Sequence, residues 1–145
     1  MTSGPGIFDN DAAAQLVTDL RAAPPPSVGD AVSGALRTVA QAEQPLGVDD
    51  VRRALAVLAL LLAETDPGLL DGLADADQVR QWFTGLEIGL NPARRQIADG
   101  TIDRILLPQD NAWYEAVTAG EDGGAAALAG VHRLRDVLAD VASVE

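Results

Sequence analysis

The run ALAVLALLLA, residues 54–63, limits the fold more than any other stretch of the chain. It carries no polar side chain, so a helix made from it is apolar on every side. At about 1.5 Å per residue it reaches roughly 15 Å, about half of a ~30 Å bilayer core. It cannot cross a membrane, so other elements of the same protein have to cover it. The preceding "VDD" opens this helix, which is predicted over about residues 49–64. It is expected to be the central, most buried one.

The rest of the chain supplies covering helices. Ala12, Ala13, Leu16, Val17, Leu20 and Ala23 recur at helical spacing from Asp9 to Ala23. Asp9 or Asn10 caps that helix, and "PPP" at 24–26 ends it. "SVGD" at 27–30 resembles a capping box and opens a second helix, with Val28, Val32, Leu36, Val39 and Ala40 inward. Pro45 and Gly47 close it. "TDPGLL" places Asp66 as a cap and Pro67 at the first helical position of a short helix. A further helix spans about Asp77 to Ile88. "NPARR" repeats the cap-then-proline signal, and "TIDRILL" at 101–107 adds one or two turns. "DNAWYEAV" starts another helix behind Asp110 or Asn111. The last runs about 124–143, with Leu128, Val131, Leu134, Leu138 and Val141 inward.

No stretch alternates with period two between hairpin turns. The fold class is therefore all-α, a compact multi-helix bundle. Residues 1–145 read as one helical domain, with 1–8 extended and 120–124 a flexible loop before the last helix.

Composition narrows the chemistry. The chain has a formal net charge of -12, from 22 acids and 10 bases. Phosphate backbones and anionic membrane surfaces would be repelled, so neither nucleic acid nor membrane is an expected partner. A basic protein is. All the bases are arginine, which excludes Lys Schiff-base and Lys general-base chemistry. Cysteine is absent and His132 is the single histidine, which excludes thiolate and His-rich metal sites. No metal and no cofactor are expected. The N-terminus carries neither a basic nor an apolar signal segment, which points to a cytoplasmic protein.

Four groups of residues are candidate sites. Phe8, Asp9, Asn10 and Asp11 sit at the first helix start. They can act as a polar hook for a partner or as oxygen ligands. They can equally serve as cap, dipole partner and hydrophobic staple. Trp82, Phe83, Trp113 and Tyr114 form two adjacent aromatic pairs. Neighbours on a helix point about 100° apart, so one of each pair belongs in the core and the other near the surface. Together they can wall a pocket between helices. His132 and Asp136 can meet at i,i+4 but lie opposite the apolar stripe of their helix. Arg94 and Arg95 can take an anion at a helix start, or pair with Asp99 and Asp103.

The segment GPGIFDNDAAAQLVTDL also carries a resemblance. Gly4, Gly6, Phe8, Asp9, Asn10, Asp11, Ala13, Ala14, Asp19 and Leu20 match the N-terminal signature of a bacterial family, domain of unknown function 4259. IDRILLPQDNAWYEAVTAGED and VHRLRDVL resemble the family's Trp-containing segment and closing helix, at Trp113 and Leu134. Gln15 stands where the family often has Asp. The resemblance implies a small acidic helical protein and supplies no activity.

Charge, size and the lack of a nucleophile or metal constellation lead to a protein-binding module. Its concrete form is an immunity- or antitoxin-like inhibitor of a basic partner. The alternative is a small-molecule-binding or accessory biosynthetic enzyme. It would use a pocket between helices, with Asp9, Asp11 or Asp19 as acid and base near Trp113. A structural subunit of a larger assembly is a third reading.

Overall fold

In the computed structural model, residues 8, 11–70, 73, 75–86, 88, 91–119 and 124–144 are described. Helix α1 is Asp11–Ala22, α2 Pro25–Ala40 and α3 Val48–Leu62. A 3-10 turn, Pro67–Leu70, leads to α4 Ala76–Gly85, α5 Pro92–Ile105, α6 Ala112–Ala119 and α7 Gly124–Val144. No strand occurs among the described residues, and the architecture is an all-α bundle.

Helix α3 is the centre of that bundle. Val51, Leu62 and every residue from Ala54 to Leu60 are buried. Helices α1, α2, α5, α6, α7 and the 3-10 turn all pack on it. Ala54, Ala56 and Ala59 are wholly enclosed, and their small side chains let neighbouring helices approach closely. Each fully buried Leu or Val contributes about 1.5–3 kcal/mol relative to exposure, so this helix carries a large share of the folding free energy. No helix among the described residues is long and apolar enough to cross a membrane.

The α2–α5 pair is the most extensive contact between covering helices. Val28, Val32, Leu36 and Val39 of α2 are buried, as are Ala98, Ile102 and Ile105 of α5. A polar tie crosses the seam: the buried Thr101 hydroxyl lies 3.0 Å from the Leu36 carbonyl and 2.8 Å from its own Ile97 carbonyl. A buried hydroxyl needs such an acceptor, and the single Thr101 hydrogen has two carbonyls within reach.

One local expectation, where α2 begins, is corrected. The triple proline does not merely end α1; it opens α2. Pro24 occupies the cap position, with φ −58 and ψ 138, and Pro25 begins the helix. Proline suits a first turn because its φ is preset and its missing N–H would have no helical partner there. Ser27 and Asp30 therefore lie inside α2, not at its start, and no side-chain cap is formed. The short helix after Asp66 is a 3-10 turn. "TIDRILL" continues α5 through Ile105 without a break. The expected caps Asp9 and Asn10, the break at Gly72 and the loop at 120–123 lie outside the described residues.

Because α3 touches most of the bundle, a cavity in it has no mobile neighbour to fill it. Leu58→Ala is expected to lower stability by about 3–5 kcal/mol in urea unfolding, with little change in the dependence on urea. A loss under about 1 kcal/mol would mean that α3 is not the closed centre described.

Candidate functional site

Three chain segments meet at one end of the bundle: the α2–α3 loop, the α5–α6 loop and the start of α6. They are joined by a single bridge between Leu46 and Asn111. The Leu46 N–H donates to the Asp110 carbonyl at 2.7 Å, and the Ala112 N–H donates to the Leu46 carbonyl at 3.0 Å. Leu46 is buried beneath this crossing.

Asn111 organises the crossing. It is buried at 2% exposure. Its amide nitrogen donates to the carbonyls of Ile105 and Leu107, at 2.7 and 3.0 Å. Its amide oxygen accepts the Tyr114 N–H at 2.9 Å. One side chain thus closes the C-terminus of α5 and caps the N-terminus of α6. Aspartate could supply the cap but not the two donors, which is why the cap falls to Asn111 and not Asp110. Asp110 takes a left-handed backbone with φ 51, which Asp tolerates better than most residues. Arg104 turns its guanidinium onto the Gln109 and Asp110 carbonyls, both at 3.1 Å.

The surface over this crossing is acidic. Glu43 and Asp49 flank Leu46 in sequence, Asp110 lies on the facing loop, and Glu115 stands in the first turn of α6; all four are exposed. Asp50, beside Asp49, is 3.6 Å from Arg53. Arg104 is spent on neutral carbonyls, and Arg52, beside Arg53 in the first turns of α3, is half-buried. Sequence reading did not assemble this group, because its members are scattered and only the Leu46–Asn111 bridge joins them.

The predicted site residues are placed as follows. Phe8 is in the core at 5% exposure, so its ring is used in packing. Asp9 and Asn10 lie outside the described residues. Asp11 is exposed in the first turn of α1. Asp19 is exposed and accepts a hydrogen bond from Gln15 at 2.9 Å. Each aromatic pair splits as its helical spacing requires: Phe83 and Trp113 are buried, while Trp82 and Tyr114 are half-buried. Trp82 meets Phe83 edge-on at 5.8 Å. Trp82 and Trp113 belong to different helices, α4 and α6, which are not among the principal packed pairs. A shallow concavity of about 350 Å³ lies at neither tryptophan but at the start of α4, lined by Leu73, Asp75, Ala76, Asp77 and Gln78. His132 and Asp136 are both exposed on α7. Among the described residues no three His, Cys, Asp or Glu side chains gather to hold a metal ion.

The expected Arg94 and Asp103 pairings are corrected. Arg94 bonds Ser33 Oγ at 3.1 Å and the Ile88 carbonyl at 2.8 Å, stapling α5 to α2. Asp103 pairs instead with Arg135 of α7. Helix packing offers each charge a partner from another element, and that partner is invisible to an i,i+4 count. Asn91 does cap α5 as expected, accepting the Arg94 N–H at 2.7 Å.

One further ion pair ties the 3-10 turn to α7. Arg133 donates to both carboxylate oxygens of Asp66, from Nε and Nη2, each at 2.8 Å. These hydrogen bonds, with the attraction of the Arg133 charge and the Gly68 N–H, hold the Asp66 carboxyl below its ordinary value against the opposing effect of desolvation. Gly68 makes room for the pair: a Cβ there would fall 2.6 Å from Arg133 Nη2. The cap signal at Asp66 was legible in sequence, but Arg133 lies 67 residues away.

Two outcomes follow. Asn111→Ala leaves two carbonyls and one N–H at the crossing without their partner, and is expected to cost about 2–4 kcal/mol in urea unfolding. Asn111→Asp should also lose most of this, because the donors are what it lacks. For Asp66→Asn the pair is surface-exposed, so the loss at neutral pH is expected to be about 1 kcal/mol or less. A depressed carboxyl contributes stability above its unfolded value and loses it as pH falls through the folded one. The gap between wild type and Asp66→Asn should therefore be full at neutral pH and close as pH drops below about 4. A gap independent of pH would refute the assignment.

Comparison with known proteins adds one match. Neither a curated protein nor a solved structure matches the chain. The family model described as Domain of unknown function (DUF4259) matches residues 2–127, from the N-terminal segment through all of α1 to α6 and into α7. With the greater part of its length inside that match, the chain belongs to the DUF4259 family.

Proposed function

We propose that the protein is an acidic protein-binding module whose target presents a basic surface, as an immunity- or antitoxin-like inhibitor does. The carrying observation is how charge is partitioned. Among the described residues the buried polar side chains are Ser33, Thr101 and Asn111, all neutral, so every described carboxylate reaches the surface. Several of the described arginines are engaged within the fold. Arg21, Arg53, Arg133 and Arg135 face carboxylates, Arg104 bonds two backbone carbonyls, and the partners of Arg94 include Ser33 and the Ile88 carbonyl. Much of the net charge of -12 is therefore turned outward.

The acidic end over the Leu46–Asn111 crossing is the surface that best supports this reading. Its loops are fixed by hydrogen bonds before any partner arrives, so docking would lose little conformational freedom. Its field would steer a basic partner and set the salt dependence of association.

Affinity capture from host lysate, followed by titration of the captured protein, tests the reading. Wild type is expected to retain a basic protein, with affinity falling as salt rises. The triple variant Glu43→Gln/Asp49→Asn/Glu115→Gln should weaken binding at least about tenfold, or ~1.4 kcal/mol, and flatten the salt dependence. Equal binding by both proteins would remove the acidic end from the interface. Failure to retain any basic protein would overturn the reading itself. A parallel Asp9→Ala/Asp11→Ala variant decides whether the N-terminal cluster belongs to the same surface.

A further inference from the structure

Asp75 occupies the N-cap position of α4: its carbonyl accepts the Val79 N–H at 2.9 Å, the first bond of the helix. Aspartate is among the best capping residues, yet its side chain makes no cap hydrogen bond here. Its backbone, with φ −115 and ψ 41, lies outside the β region that a capping residue takes. The carboxylate goes elsewhere: Asp75 Oδ2 lies 2.8 Å from Arg21 Nη1, at the C-terminal turn of α1. Both side chains of the pair are about two-fifths exposed, at 42% and 41%.

We infer that Asp75 is a two-position switch between α1 and α4. In one position its carboxylate pairs with Arg21 and α4 starts uncapped. In the other, ψ rotates into the β region and the carboxylate accepts the N–H of Asp77 or Gln78. An exposed ion pair and a helix cap contribute similar stabilisation, so neither position dominates by a wide margin. Asp75, Asp77 and Gln78 also line the concavity at the start of α4, and that wall differs between the positions. The switch acts whatever the acidic end binds, and competition for the Arg21 guanidinium shifts it toward the capped form.

Hydrogen exchange resolved by residue tests the inference through a counterintuitive result. Arg21→Ala removes an ion pair yet should raise the protection of the Asp77 or Gln78 amide, by about fivefold for a typical cap. The Asp75 Cα chemical shift should move toward the β range in the same variant. In Arg21→Ala/Asp75→Ala the gain should disappear. Unchanged or reduced protection in Arg21→Ala overturns the switch, as does a gain that survives in the double variant. Arg21 is exposed, so these variants are expected to fold.

Discussion

Enclosure of α3 is the constraint on which the rest of the molecule depends. A helix with no polar side chain over its second half has to be covered all round. The cover comes from α1, α2, α5, α6, α7 and the 3-10 turn, each presenting an apolar stripe. Every polar decision is then pushed outward. Among the described residues the three buried polar side chains are neutral, and no buried side-chain nitrogen or oxygen lacks a partner.

Where the covering helices are joined, neutral hydrogen bonds do the work that charge cannot do cheaply. Asn111 serves two helix ends at once, and Thr101 ties α5 to α2. The arginines work differently. Several span elements from the surface: Arg21 to Asp75, Arg94 to Ser33, Arg133 to Asp66 and Arg135 to Asp103. The planar guanidinium reaches several acceptors from one long stem, which suits this bracing role. With ten arginines against 22 acids, such bracing leaves a strongly acidic exterior. The proposed function builds on that imbalance.

Much of the helical layout was legible because its signals are local. Periodic Val and Leu positions marked the buried faces of α2 and α7, and Asn91–Pro92 marked the start of α5. The triple proline reads as the end of α1, and α1 does stop before it; its second role, opening α2, was not legible. That role depends on whether the residues after it find a surface to pack on, and Val28 and Val32 do. The aromatic pairs were legible as one inward and one half-buried ring each. A common pocket for them was not, because that depends on how α4 and α6 are placed.

By itself the sequence determined that this is an all-α, acidic protein whose bases are all arginine, with a buried central helix and membership of the DUF4259 family. Those properties follow from residue type and from spacing within a few turns. Tertiary structure alone decided which charges meet. Asp103 leaves Arg95's neighbourhood for Arg135, Asp66 finds Arg133, and Asp75 gives up a cap for Arg21. It also decided that Glu43, Asp49, Asp110 and Glu115 share one end of the bundle. The physical reason is range. Helix formation is set by neighbours along the chain, whereas ion pairs and surface fields are set by neighbours in space, and packing around α3 chooses those.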